Sequence, residues 1–159
     1  MANTLSSSAQ RVQEHLSAHG VALNVVELPG STRTAKDAAQ AIGCTVAQIA
    51  KSLVFVGQES GELLLVIASG PNRVSEVRLA ELAGEPVAMA DGKLVKQETG
   101  FAIGGIPPVA HNKPLRTFMD QDLLAFDEIW AAAGTPHAVF MLTPQQLQDL
   151  AGPQVVAVA

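Results

Sequence analysis

Apolar residues at Leu5, Ala9, Val12 and Leu16 recur at helical spacing, and Gly20 follows as a stop. This pattern predicts an amphipathic helix over 7–19, with His15 and His19 on its polar side. Val21 to Leu28 reads as strand, closed by the turn Pro29-Gly30. Thr34 can cap a helix whose inner positions are Ala35, Ala38, Ala39 and Ile42, ended by Gly43. Thr45 can cap a short helix from Val46 to about Ala50, which gives way to the β-branched run through Val56. Glu62 to Ser69 is a continuous apolar run, as expected of a central strand covered on both faces.

The second half alternates irregularly. A helix over 75–83 is capped by Ser75 and stopped by Gly84. A short strand covers Pro86 to Ala90, and a helix capped by Asp91 runs to Thr99 before Gly100. Leu115 to Met119 is strand, Asp120 caps a helical turn over Gln121 to Leu124, and strands follow at Glu128 to Ala132 and Ala138 to Leu142. Thr143-Pro144 is an N-cap with proline at the first helical position, opening a helix with Leu147, Leu150 and Ala151 inside and Gly152 at its end. Val155 to Val158 is a last edge strand. Irregular alternation with short late spacings predicts a mixed α/β fold: a curved, largely antiparallel sheet surrounded by helices, not a regular doubly wound one. One domain over 1–159 is expected, with the helix of segment 1–20 packed on it.

Composition narrows the class. Apolar residues make up 48% and charged residues 16%, which is globular. No apolar run is long enough to span a bilayer, and Met1 to Ser8 lacks the pattern of a signal peptide. A single cysteine, Cys44, excludes an intrachain disulfide, so a cytoplasmic protein without a membrane partner is expected. The net charge of −5 argues against binding DNA by bulk electrostatics. Contact with RNA would need a local patch, for which Lys51, Arg73, Lys93, Lys96, Lys113 and Arg116 are the candidates.

Common catalytic signatures are missing. There is no dinucleotide fingerprint, phosphate-binding P-loop or nucleophile elbow. The four histidines and Cys44 have no metal-ligand spacing, so neither metal nor cofactor is expected. Cys44 has no flanking base and reads as an inert thiol, and the carboxylates Asp120, Asp122, Asp127 and Glu128 fall on caps and turns. Three features remain. Lys51 sits at the predicted helix–strand junction between apolar neighbours; it is either half-buried, with a lowered pKa, or a solvated lysine at a helix C-terminus. Gly104-Gly105-Ile106-Pro107-Pro108 is a stiff, shaped loop, and Gly134-Thr135-Pro136-His137 is a second special turn. Glycine-rich loops can offer N–H groups to a carbonyl oxygen, and a lysine can add positive charge.

Four segments together resemble the YbaK/ProX family of aminoacyl-tRNA deacylases, which is related to the editing insertion of bacterial prolyl-tRNA synthetases. They are Ile49-Ala50-Lys51-Ser52-Leu53-Val54-Phe55, Val66-Ile67-Ala68-Ser69-Gly70, Gly104-Gly105-Ile106-Pro107-Pro108, and Ala133-Gly134-Thr135-Pro136-His137 followed by strand. The resemblance implies hydrolysis of the ester joining a wrong, small amino acid to tRNA, with tRNA-Pro as the expected carrier. It implies Lys51 as the residue tied to activity, touching the substrate carbonyl or the terminal adenosine. It places Ser52, Gly104, Gly105, Ile106, Pro107 and Pro108, with Gly134, Thr135, Pro136 and His137, around the aminoacyl pocket. Water, helped by a ribose hydroxyl of the substrate, would be the nucleophile. The implied partners are aminoacyl-tRNA and, as a candidate, prolyl-tRNA synthetase.

Ser52 stands where branches of the family differ, and Ala110 stands where glycine is expected, so the amino acid removed is left open. His111 reads as structural or surface. Two other readings stand beside the deacylase: a non-catalytic tRNA- or nucleotide-binding or synthetase-accessory module, and a hydrolase of some other small ester.

Overall fold

The computed structural model describes residues 5–159, so the part of the signal-peptide expectation that falls on 1–4 lies outside it. Eight strands among these residues form one sheet in the order β1-β7-β6-β2-β3-β5-β8, with β4 also paired to β2. They are β1 (Val26–Glu27), β2 (Ile49–Gly57), β3 (Leu63–Ser69), β4 (Val87–Met89), β5 (Arg116–Asp120), β6 (Ile129–Ala132), β7 (Ala138–Leu142) and β8 (Gln154–Val156). Five helices cover it: α1 (Ser7–Ala18), α2 (Ala35–Ile42), α3 (Glu76–Ala83), α4 (Gly92–Thr99) and α5 (Pro144–Ala151). The sheet is mixed, with four antiparallel pairings and three parallel ones. β3 is buried at all seven positions, which is why its sequence is apolar without alternation.

The two faces have separate cores. On one, α1 (Ala9, Val12, Leu16), α4 (Val95) and α5 (Leu147) pack against Val54, Leu65, Ile67 and Phe140. On the other, Leu79 of α3 packs against Phe55, Leu64, Val66 and Phe118, while Ala38 and Ala39 of α2 cover Ile49. The helix ends follow local chemistry: Thr34, Ser75, Asp91 and Thr143 each accept a main-chain N–H in the first turn of the helix they cap.

Two expectations are corrected. The strand over 21–28 shrinks to Val26–Glu27, because Gln13 of α1 claims the backbone before it: its Nε2 donates to Leu23 O and its Oε1 accepts from Val25 N. The helix expected from Val46 to Ala50 is a single 3-10 turn over Val46–Gln48, and β2 starts at Ile49. Lys51 is therefore the third residue of a strand, and the helix C-terminal reading of it falls.

One irregularity of the sheet positions the candidate site. β3 pairs with β2 along its length, from Ala50 to Val56. The other edge of β2 is shared: β6 takes Ile49 and Ala50, and β4 takes Phe55 to Gly57. Ala90 N adds a bond to Val54 O, leaving Lys51 to Leu53 without a strand partner on that edge. The sheet is notched there.

Candidate functional site

A cavity of about 320 Å³ fills the notch. Its walls come from β2 (Ile49 to Val54), from β6 (Trp130, Ala131, Ala132), from Met89 and Ala90 at the end of β4, and from Ile103, Gly104 and Ile106. Thr32, Arg33 and Thr34, leading into α2, close another side. Arg33 and Lys51 carry the wall's only formal charges among the described residues, and no carboxylate lines it. A second cavity of about 250 Å³ adjoins it on the α3 side, lined by Phe55, Pro71, Asn72, Arg73, Val74 and Glu76, and the two share Lys51, Leu53 and Met89.

Lys51 thus stands between two cavities. Its Nζ donates to Gly70 O at 3.0 Å. Burial lowers its pKa from the ordinary lysine value, and the attraction of Asp120 partly opposes that. The half-buried reading of Lys51 is the one the fold adopts. The carbonyl it uses is placed by a close approach: a Cβ on Gly70 would run into the main-chain oxygen of Val46, so only glycine lets the chain lie there. Asp120 is itself spent on structure, accepting from Ser69 N, Asn72 Nδ2 and Asp122 N. It steadies the segment that carries Gly70 and acts on Lys51 through space.

The glycine-proline loop contributes Gly104 and Ile106 to the wall. Gly105, Pro107 and Pro108 are buried behind them and do not line it. The turn Gly134-Thr135-Pro136-His137 forms a further layer. Gly134 N donates to Gly105 O at 2.8 Å, and a Cβ on Gly105 would lie 2.7 Å from the backbone of Thr135. Pro136 O accepts from Thr32 N, and His137 O accepts from Leu28 N. The second turn therefore buttresses the loop and the Thr32 segment that leads into α2; none of its four residues reaches the cavity. Ser52 does line it, and its hydroxyl is buried without a partner.

Of the basic residues proposed for a patch, Lys51 and Arg73 adjoin the cavities. Lys113 pairs with Glu98 at 2.8 Å, and Arg116 donates to Leu82 O and Ala83 O, so both are engaged elsewhere. Arg33, Met89 and Trp130 were not visible as site residues from sequence. Arg33 precedes an ordinary N-cap, and nothing local marks the other two; the chain's single tryptophan was the available signal. His111 is structural, its Nε2 donating to Pro107 O at 2.7 Å inside the loop. Cys44 lies outside both cavities, and burial raises its pKa. No three His, Cys, Asp or Glu side chains among the described residues are arranged to hold a metal ion, and no helix among them is long and apolar enough to cross a membrane.

An apolar cavity with a half-buried ammonium at its rim and no carboxylate suits an electrophilic carbonyl whose oxygen gains negative charge. Residues 30–150 match the model of the aminoacyl-tRNA editing domain. The crystal structure of a candidate trans-editing enzyme for prolyl tRNA synthetase superposes with a TM-score of 0.92 at 52% identity, covering 98% of each chain. A candidate Cys-tRNA(Pro)/Cys-tRNA(Cys) deacylase, EbsC, of Enterococcus faecalis is 27% identical over 76% of this chain and 74% of its own. The proline–tRNA ligase of Xanthomonas campestris pv. campestris is 29% identical over 88% of this chain, which spans only 24% of that ligase.

Proposed function

The chain belongs to the aminoacyl-tRNA editing domain family, and on that premise we propose that it is a trans-acting deacylase that hydrolyses the ester of a tRNA mischarged with a small amino acid. The observation that carries the reading is the position of Lys51 between an apolar cavity and a second, polar-rimmed one. The aminoacyl group enters the first cavity, between Ile106, Trp130 and Val139. The terminal nucleoside lies over the second, on Leu53, Val74 and Met89, with Arg73 towards the phosphates. Lys51, released from Gly70 O, meets the developing charge on the carbonyl oxygen.

The step is a hydrolysis. A water oxygen bonds to the ester carbon, the bond from that carbon to the ribose oxygen breaks, and the proton passes to the departing oxygen with help from the neighbouring ribose hydroxyl. Free amino acid and tRNA result. No protein nucleophile is required, which fits a wall holding no cysteine or carboxylate. Discrimination by an apolar pocket is modest per methylene, so selectivity among alanine, serine and cysteine is graded. The 29% identity to proline–tRNA ligase supports tRNA-Pro as carrier and a synthetase as partner.

Alanyl-, seryl- and cysteinyl-tRNA-Pro, incubated with the wild type and with Lys51→Ala, test this. The wild type hydrolyses at least one, and Lys51→Ala loses roughly 10²- to 10³-fold in kcat, the scale of one lost oxyanion donor. No hydrolysis of any, or an unimpaired Lys51→Ala, sinks the proposal. Binding of charged tRNA without turnover would identify a non-catalytic module instead.

A further inference from the structure

The notch in the sheet leaves one residue with both main-chain groups open. Two hydrogen bonds fix how main-chain groups alternate along β2. Gly57 N donates to Glu62 O, towards β3, and Val54 O accepts from Ala90 N, towards β4. Main-chain groups in a strand alternate edges with every residue. The odd-numbered residues Lys51, Leu53 and Phe55 therefore turn their N–H and C=O to β3. The even-numbered residues turn theirs to the edge shared by β4 and β6. Ala50 is in register with β6 there, and the Val54 C=O accepts from Ala90 N. Ser52, between them, faces the cavity, since the pairing with β6 ends at Ala50 and that with β4 begins at Phe55.

An unpaired N–H and C=O on one residue is a site of defined chemistry, since buried main-chain groups need partners. An α-aminoacyl ester carries an amine and a carbonyl on adjacent atoms, spaced like the N–H and C=O of one residue in a strand. We propose that the Ser52 main chain is the handle for the substrate's aminoacyl group. Its N–H donates to the ester carbonyl, and its C=O accepts from the α-amine, as in a one-residue antiparallel bridge. The pairing supplies the acceptor that the amine needs in a wall without carboxylates. It also puts a second donor beside Lys51 at the carbonyl oxygen. Recognition of this kind reads the α-amino ester and ignores the side chain, which is left to the apolar walls.

This inference rests on the deacylase reading, and its test separates the two. In the free protein, the Ser52 amide is expected to exchange with deuterium at least about tenfold faster than those of Lys51 and Leu53, which face β3. The probe is 3′-(L-alanylamido)-3′-deoxyadenosine, an amide in place of the labile ester. On saturation it should slow Ser52 exchange by about tenfold or more and leave Lys51 and Leu53 unchanged. A Ser52 amide already protected without ligand overturns the inference, and so does an analogue that leaves its exchange unaltered. A second variant replaces residue 52 by the α-hydroxy analogue of serine, removing the N–H that no strand uses. Its unfolding midpoint should stay near that of the wild type, while kcat/KM on the best mischarged tRNA falls by about 10². Hydrolysis at the wild-type rate in that variant overturns the handle and leaves the deacylase standing. Failure of the wild type to hydrolyse any charged tRNA sinks the deacylase instead.

Discussion

Arg11 of α1 donates from Nη2 to the carbonyl oxygen of Ala110 at 2.6 Å, across 99 positions of sequence. The same nitrogen reaches Asn112 Oδ1 at 2.8 Å, and the guanidinium lies 4.6 Å from the centre of the Phe101 ring. Ala110 is the only non-glycine residue with positive φ among the described residues, at 70°. A side chain resists that conformation by about 1–2 kcal/mol, so the arginine holds a strained residue at the end of the loop that carries Gly104 and Ile106.

Arg11→Met should therefore cost about 2 kcal/mol in denaturant unfolding, the scale of charged hydrogen bonds at a half-buried site. Adding Ala110→Gly to that variant should return about 1 kcal/mol, because glycine takes positive φ freely. No recovery in the double variant would mean that Arg11 acts only by packing α1 to the sheet.

Lys51→Met separates stability from activity. The substitution removes an ammonium whose burial opposes its charge and keeps an apolar stem of similar length. Thermal unfolding should occur at or above the wild-type midpoint while deacylation falls at least about 10²-fold. The sign of the pH effect follows from the lowered pKa. The unfolded chain holds the proton more tightly, so wild-type stability rises with pH between the folded pKa of Lys51 and the ordinary value of 10.5. Lys51→Met should lose that part of the rise.

Gly105→Ala drives a methyl into the backbone of Thr135. The loop and its buttress must separate, breaking the bond from Gly134 N to Gly105 O. A loss of about 1–3 kcal/mol is expected, as for an overpacked core position. The ratio of kcat/KM between cysteinyl- and alanyl-tRNA should move towards unity as Ile106 shifts; calorimetry and the paired assays read the two effects.

His111 adds an acid-side dependence. Burial lowers its pKa below the ordinary 6.5, against the hydrogen bond to Pro107 O, with Arg11 and His15 lowering it further. Below about 6.5 the unfolded chain takes a proton that the folded one refuses, so stability falls with acidification until the folded pKa is passed. His15, also lowered, contributes in the same direction. His111→Gln keeps a donor for Pro107 O and should flatten much of that slope in melts between pH 7 and 5; an unchanged slope would assign it to other groups.

Much of the fold could be read locally. The caps at Thr34, Ser75, Asp91 and Thr143 depend on a few adjacent residues, and the continuous apolar run of β3 announces burial on both faces. What could not be read depends on distant partners. Val21 to Leu28 has strand composition, but Gln13 of α1 takes its main-chain groups. Gly105 and Gly134 are points of close backbone approach, which their sequence does not distinguish from conformationally special turns. The family resemblance implies that the second turn borders the pocket, whereas the turn stands one layer behind it, with Thr135 pressed against Gly105. Lys51 stood out by its apolar neighbours, whereas the open edge beside it exists only because β4 and β6 divide β2 between them, about 30 to 80 residues away.

That division has a consequence for solubility. A strand edge with free donors and acceptors invites other chains to add to it, and proteins commonly guard such edges with charge, proline or short length. Here the free stretch is closed at one end by β6 and at the other by β4, and it spans only Lys51 to Leu53. A foreign strand cannot lie along three residues walled at both ends, whereas a guest of one residue's length can. The Ser52 main-chain groups can therefore stay unpaired in the notch without offering a seed for aggregation.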